Sequence, residues 1–579
     1  MPTLDISELN IVVAVLGAFT ILYGLCSVKI KQVWYLGEAL PALLAGIILG
    51  PVAARFLDSE RWGSAVQDQT GAITLGVARV VIGVQLVIAG YQLPAKYPWH
   101  RWKDMVLVLV PIMTIMWLCT TGCVMLVIPK LTTLSAMVIA SQVTCTDPIL
   151  SQAIAKGPFA DRYVPRALRE IISAEAGAND GFGFPFLLLA TFLIRHAPKE
   201  DLNFISSSAH LASRAEEVGR LGGGVGEAIE SWVVEGWLYF ILLGAVVGAV
   251  LGITSMFAVT FTLKRKWIDT ESLLLFPTAL GLFILGVTGL AGLDDLLACF
   301  CAGMAMNWNG VYLHETLARH DEVNSSIDVL LNFGGFMYIG TIMPWSEFNS
   351  DITGITPGRL VGLGFLVLLF RRIPAIMVMY KAMPNTVKSW KEALFMGYFG
   401  PIGIGAVFYT EHSVHLFPEL DAVETLEEQN LLRAMRPVVY FLVLFSIVVH
   451  GLSIPALELI YRWQGVQPIM ELQPSMERRR SVSEPLPPNS HVDPRFGSVV
   501  RHNRFSRVIN RDEIGDLEER WSSRPKNASA SRPTSRGVSW VVSPHSRTTS
   551  RGRQIPMTPV WRLGRDDSRD SLKDQGRDS

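Results

Sequence analysis

Charge is scarce in this chain. Of its 579 residues only 18% are Asp, Glu, Lys or Arg, against roughly 25% in soluble domains. Basic and acidic residues balance at a formal charge of +0, an average over an apolar body and a charged tail that says nothing about partners; no nucleic-acid partner is expected. The six cysteines, Cys26, Cys119, Cys123, Cys145, Cys299 and Cys301, all lie in or beside apolar runs. They lack the paired spacing of a zinc site or a disulfide framework, and read as small packing residues. Met1 to Asn10 has no basic stretch ahead of the first apolar run, so that run reads as a permanent span and not as a cleaved signal. No nucleotide loop, metalloprotease helix or nucleophile elbow appears, so neither an enzyme nor a bound cofactor is expected. No repeated selectivity filter appears either, which argues against a channel.

What the chain does have is apolar runs. They succeed one another through residues 10–463, whereas residues 464–579 are rich in Arg, Ser, Pro and Asp. A helix needs about 20 mostly apolar residues to cross a bilayer. Runs of that kind occupy 10–28, 34–54, 72–94, 105–128, 133–155, 166–195, 236–263, 272–291, 293–309, 326–345, 359–380, 392–410 and 435–461. The expected fold is therefore an all-α polytopic membrane protein of about thirteen helices. It has two regions, a transmembrane domain over 1–463 and a tail over 464–579.

Basic residues follow every second span: Lys29 and Lys31; Lys96, Arg101 and Lys103; Lys156, Arg162, Arg166 and Arg169; Lys264, Arg265 and Lys266; Lys381, Lys388 and Lys391. The excess of Lys and Arg on cytoplasmic loops then puts the amino terminus outside and the tail inside. The tail cannot bury enough apolar surface to offset its chain entropy, and largely disordered chain is expected there. Its run Arg478-Arg479-Arg480-Ser481-Val482-Ser483 suits kinases, regulatory proteins or anionic membrane lipid. His196, His210 and His320 read as solvated loop residues, and His450 as a packed one.

Ionisable side chains at membrane depth mark internal pairs or ion pathways. The first segment of interest is Thr144-Cys145-Thr146-Asp147-Pro148, inside an apolar span. Pro148 removes a backbone donor and pushes Asp147 away from helical angles, which predicts a broken helix. Backbone freed in this way is tolerated at that depth only inside protein or along a water-filled cavity. The second segment surrounds Asn179-Asp180 with small residues, and Glu175 precedes Asp180 by five. On a helix the two carboxylates diverge and need different partners. Arg371 and Arg372, inside the eleventh span, are the available cations. Glu175 is expected to pair with one of them, leaving Asp180 to titrate. Asp294 and Asp295 are adjacent near a span end, suited either to gathering cations or to capping a helix start.

Thr146-Asp147 in a broken helix, followed by Asn179-Asp180 with Glu175 upstream, resembles the monovalent cation/proton antiporter superfamily. The stretches 144–150 and 176–181 look specifically like the fungal plasma-membrane sodium/proton antiporters, as do the Asp294-Asp295 pair and the hydrophilic tail. The resemblance implies a homodimer with inverted repeats, two crossed discontinuous helices, and a core domain beside a dimerisation domain. The second discontinuous helix then falls at Gly397 and Gly400-Pro401-Ile402-Gly403-Ile404-Gly405. It further implies plasma-membrane exchange of Na+ or Li+, with K+ left open, for protons by alternating access. Asp180 is then the carboxylate that metal and proton share, and Asn179 fixes its geometry. Thr146 offers oxygens, and Asp147 balances half-helix charge. Family members often carry serine four residues before the binding aspartate, where this chain has Ala176. A cation-coupled symporter of another small solute is the competing reading.

Overall fold

The structure is a computed structural model. It describes residues 8–58, 69–148, 150–151, 158–197, 221–319, 322–423, 425–467, 490–492 and 499–501. Helices α1 (Glu8–Val28), α2 (Ala39–Leu49), α3 (Gln69–Tyr91), α4 (Trp102–Val127), α5 (Thr133–Gln142), α6 (Arg166–Asn179) and α7 (Phe184–Arg195) form the first half. The second half holds α8 (Gly224–Arg265), α9 (Thr270–Ala291), α10 (Asp295–Met306), α11 (Val311–Ala318), α12 (Val323–Thr341), α13 (Pro357–Phe370), α14 (Ile373–Met379), α15 (Trp390–Tyr398), α16 (Ile404–Val414) and α17 (Leu426–Gln464).

Among the described residues, eight helices, counting α6 with α7 and α13 with α14, are long and apolar enough to cross a membrane, nine if the bent pair α10–α11 is one span. Each of the thirteen apolar runs holds helix, but not each holds one spanning helix. The run 34–54 yields only eleven residues of helix, 133–155 is interrupted after Gln142, and 392–410 divides at 399–403. Over 293–309 the chain forms α10 and then turns 79° into α11. Sequence hydropathy marks depth in the membrane, and these breaks do not alter it.

Helix starts follow local chemistry. Thr132, Asp269, Thr356, Ser389 and Thr425 each accept a hydrogen bond from the amide three residues on, satisfying one of the donors a helix start leaves free. Two layers of helices result. In one, α5 packs on α4, α7 and α17, and α13 on α4 and α17. In the other, α3 lies against α9 and α10, α8 against α10, and α12 against α2. The layers meet where α16 and α6 pack on α3, α7 on α8, and α2 on α17. Small residues make these meetings close: a Cβ at Gly303 would strike the α3 backbone at Val87, and one at Gly248 the α10 backbone at Ala298.

His196 is buried, contrary to its reading as a solvated loop residue. The chain returning at 221–224 covers the end of α7, Leu221 N–H donating to Arg195 O and Gly224 N–H to His196 O, and His196 Nδ1 lies 2.8 Å from Gly222 O. His210 and His320 lie outside the described residues. So does nearly all of the tail, apart from three antiparallel pairs, Ser490–Val492 on Val499–Arg501.

Candidate functional site

The site forms where two interrupted helices cross. Helix α5 ends at Gln142, and the chain then runs irregularly to Pro148. Helix α15 ends at Tyr398, and α16 starts at Ile404. The two interruptions bind each other: Asp147 N–H donates to Pro401 O at 2.9 Å. The Asp147 carboxylate accepts from two helix starts, Leu150 N–H at 2.9 Å through Oδ1 and Ile404 N–H at 2.9 Å through Oδ2. Helix starts carry positive partial charge and free amides, so one carboxylate satisfies both.

The opposite ends of the same interruptions face Arg371. Its guanidinium donates to the carbonyls of Val143 and Cys145 beyond α5 and of Gly400 beyond α15. Helix ends carry negative partial charge and free carbonyls, which suit a guanidinium with five donors. Arg371 therefore does not share the ion pair with Glu175. That pair belongs to Arg372, whose two terminal nitrogens donate to the two Glu175 oxygens, Nη2 to Oε2 at 2.7 Å. Arg372 Nε also donates to Met396 O at 2.9 Å.

Asn179, the last residue of α6, reads Thr146 twice. Its Oδ1 accepts from Thr146 N–H at 3.1 Å and its Nδ2 donates to Thr146 Oγ1 at 2.8 Å. Asp180 follows, completely buried. Neither of its carboxylate oxygens has a hydrogen-bond partner among the described residues. A buried carboxylate without partners is costly, and such residues at membrane depth mark ion pathways. Asp147 faces Gly403 and Asp180 faces Gly405, two residues apart at the start of α16. The structure thus brings Thr146, Asp147, Asn179 and Asp180 together at the crossing, and Glu175 and Arg372 to its flank.

Asp294 and Asp295 separate in role. Asp294 caps α10, its Oδ1 accepting from Leu297 N–H at 3.0 Å, while its buried Oδ2 has no partner among the described residues. Asp295 accepts from Arg79 Nε and lies 2.6 Å from Arg79 Nη2. The start of α10 packs against the Asp180 segment, because a Cβ on Gly181 would fall on Leu297.

Three further residues complete the site: Arg79 and Tyr409, which the sequence reading did not single out, and Gly405, which it named only as part of the second helix break. Arg79 was legible as a lone cation in the run 72–94. Gly405 faces the Asp180 carboxylate so closely that a Cβ there would lie 2.7 Å from Oδ1. Tyr409, one turn further on the same face of α16, donates its hydroxyl to Asp180 O at 2.5 Å.

A family described as "sodium/hydrogen exchanger, transmembrane" matches residues 15–458. The chain belongs to that family. Among exchanger relatives, a probable Na(+)/H(+) antiporter of Schizosaccharomyces pombe is 39% identical over 460 residues, 78% of this chain and 56% of the relative. A Na(+)/H(+) antiporter of Saccharomyces cerevisiae is 34% identical over 467 residues, 79% of this chain and 44% of the relative. The chain thus spans about half the length of these two relatives. Both are named as antiporters, transporters and not enzymes. A structure of the sodium proton antiporter MjNhaP1 from Methanocaldococcus jannaschii shares the fold, with TM-score 0.52 and 14% identity over 81% of this chain and all of that one.

The crossing tolerates no side chain at Gly403, where a Cβ would overlap the Asp147 carboxylate. Forced overpacking costs about 1–3 kcal/mol. Gly403→Ala is expected to lower the melting temperature in detergent, read by intrinsic fluorescence, and to lower transport with it. An unchanged melting temperature would mean that the crossing is looser than its hydrogen bonds imply.

Proposed function

We propose that this chain is a multi-pass plasma-membrane antiporter that exchanges intracellular Na+ or Li+, and K+ as a further candidate, for external protons. Asp180 is the shared binding group. The observation that carries this reading is the completely buried Asp180 carboxylate, both oxygens without partners, beside the doubly capped helix crossing. The family and the relatives named as antiporters support it.

The chemistry follows from charge. Sodium and lithium are hard cations that take oxygen ligands, and carboxylate oxygens suit them. Asp180 holds a metal ion or a proton, not both. Either ligand neutralises the carboxylate and makes it less costly to carry past a hydrophobic barrier than the bare anion. The two fluxes are thereby coupled without metal and proton meeting, as alternating access exposes Asp180 to each side in turn. Asn179 and Thr146 hold the loop beside it, and Asp147 and Arg371 neutralise the half-helix ends, so that Asp180 alone changes charge. Asp294, with its own unpartnered oxygen, serves as a second acidic station toward the site. The protein works as a homodimer in lipid, amino terminus outside, with the cytoplasmic tail as the target of kinases or regulatory proteins.

The test is proton efflux from reconstituted vesicles driven by pulses of Na+, Li+ or K+. Because proton and metal compete for one carboxylate, the apparent KM for Na+ is expected to rise as pH falls. Once protonation dominates, the rise is about tenfold per pH unit, at nearly constant maximal rate. A KM that stays flat across pH 6–8 while the maximal rate changes would place the proton on another group.

A further inference from the structure

Helix α16 touches Asp180 at two points one turn apart. Gly405 leaves room for the carboxylate, and Tyr409, four residues on and therefore on the same helix face, reaches the main chain behind it. The Tyr409 hydroxyl donates to Asp180 O at 2.5 Å and lies 3.4 Å from Gly181 O. Both carbonyls sit in the turn between α6 and α7, over residues 180–183.

The sequence explains why one of these carbonyls, Gly181 O, needs an outside donor. A helix would satisfy Gly181 O with the N–H of residue 185, but residue 185 is proline and has none. The turn also brings Gly183 against the tyrosine. A Cβ there would lie 2.7 Å from the Tyr409 ring and hydroxyl and 2.8 Å from Cys145 Sγ. Tyr409 is wholly buried, and Phe184 packs edge-on against its ring at 5.2 Å. The hydroxyl thus sits in a close-packed position between Gly183 and Phe184.

We propose that Tyr409 is a positioning residue for ion exchange: its hydroxyl holds the Asp180 main chain so that the carboxylate faces Gly405. The same helix is fixed at its start by the Asp147 carboxylate. Helix α16 therefore sets the spacing between the two aspartates, Asp147 at Ile404 and Asp180 at Gly405 and Tyr409. Losing the hydroxyl leaves the ring, and hence the packing, in place but frees the carboxylate to shift. The bound cation suffers more than the transport step, because cation affinity depends on how the oxygens are placed.

This rests on Asp180 being the exchange site, so the experiment includes Asp180→Asn. In reconstituted vesicles, Tyr409→Phe is expected to raise the apparent KM for Na+ about fivefold, the weight of one hydrogen bond, with maximal rate within about twofold of the unmodified protein. The ratio of Li+ to Na+ affinities is expected to change as well. Pro185→Ala restores a donor for Gly181 O, tightens the turn and is expected to raise the same KM. It also serves as the reading should Tyr409→Phe yield no folded protein. If Tyr409 only fills space, Tyr409→Phe keeps the KM and ion preference of the unmodified protein, and the proposal is overturned. A loss confined to maximal rate overturns it too. Continued exchange by Asp180→Asn would instead overturn the assignment of Asp180, a result separate from either of these.

Discussion

Replacing Asp180 with Asn is expected to abolish cation-driven proton movement in vesicles, down to the level of protein-free membranes, while leaving the protein folded. The amide matches the carboxylate in shape but can neither gain a proton nor present a charge to a metal ion. It also removes no hydrogen bond, because the Asp180 oxygens have no partners among the described residues. Burying an unpaired carboxylate is costly, so the melting temperature of Asp180→Asn is expected to stay level or to rise. Lost transport with a level or raised melting temperature separates a functional carboxylate from a structural one. A fall in both would mean that Asp180 serves the fold.

The second large effect concerns Arg372. Its bidentate pair with Glu175 lies wholly inside the protein, and Arg372→Met leaves a carboxylate buried without its cation. Breaking a buried pair in this way costs about 3–5 kcal/mol. Little monodisperse protein is expected in size-exclusion chromatography from detergent. Removing both charges in Glu175→Met/Arg372→Met is expected to restore much of the folded fraction, since well-packed apolar residues replace such pairs at small cost. Recovery stays incomplete because Met396 O also loses the Arg372 donor. A single variant that is as monodisperse as the unmodified protein would mean that water reaches Glu175.

The sequence made the membrane spans and the Asp147–Pro148 interruption legible, because each rests on a local rule: hydropathy marks spans and proline marks a break. Asp180 was expected to lack a cation only because Glu175 was assigned one of the two arginines, a pairing between distant segments. The division of labour between Arg371 and Arg372 was not legible. The two arginines sit in the break between α13 and α14, and only the packing decides which faces Glu175 and which faces the freed carbonyls at Val143, Cys145 and Gly400. Tyr409 was hidden for a different reason. Its partner is the main-chain carbonyl of Asp180, 229 positions away, which no sequence pattern marks as free; Pro185 marks only the neighbouring Gly181 O, four residues before it. Arg79 was overlooked, although a single arginine in the apolar run 72–94 already called for an acid. The separate behaviour of Asp294 and Asp295 follows from the sharp start of α10, which turns one carboxylate toward its own helix amides and the other toward α3.

The most direct test is calorimetric Na+ titration of the purified protein in buffers of different ionisation enthalpy, which counts the protons released per ion bound. A shared Asp180 predicts that each Na+ bound below the carboxylate's own titration point displaces close to one proton, and that Asp180→Asn binds no Na+ at all. Sodium binding that releases no proton at any pH, or that persists in Asp180→Asn, would contradict the account.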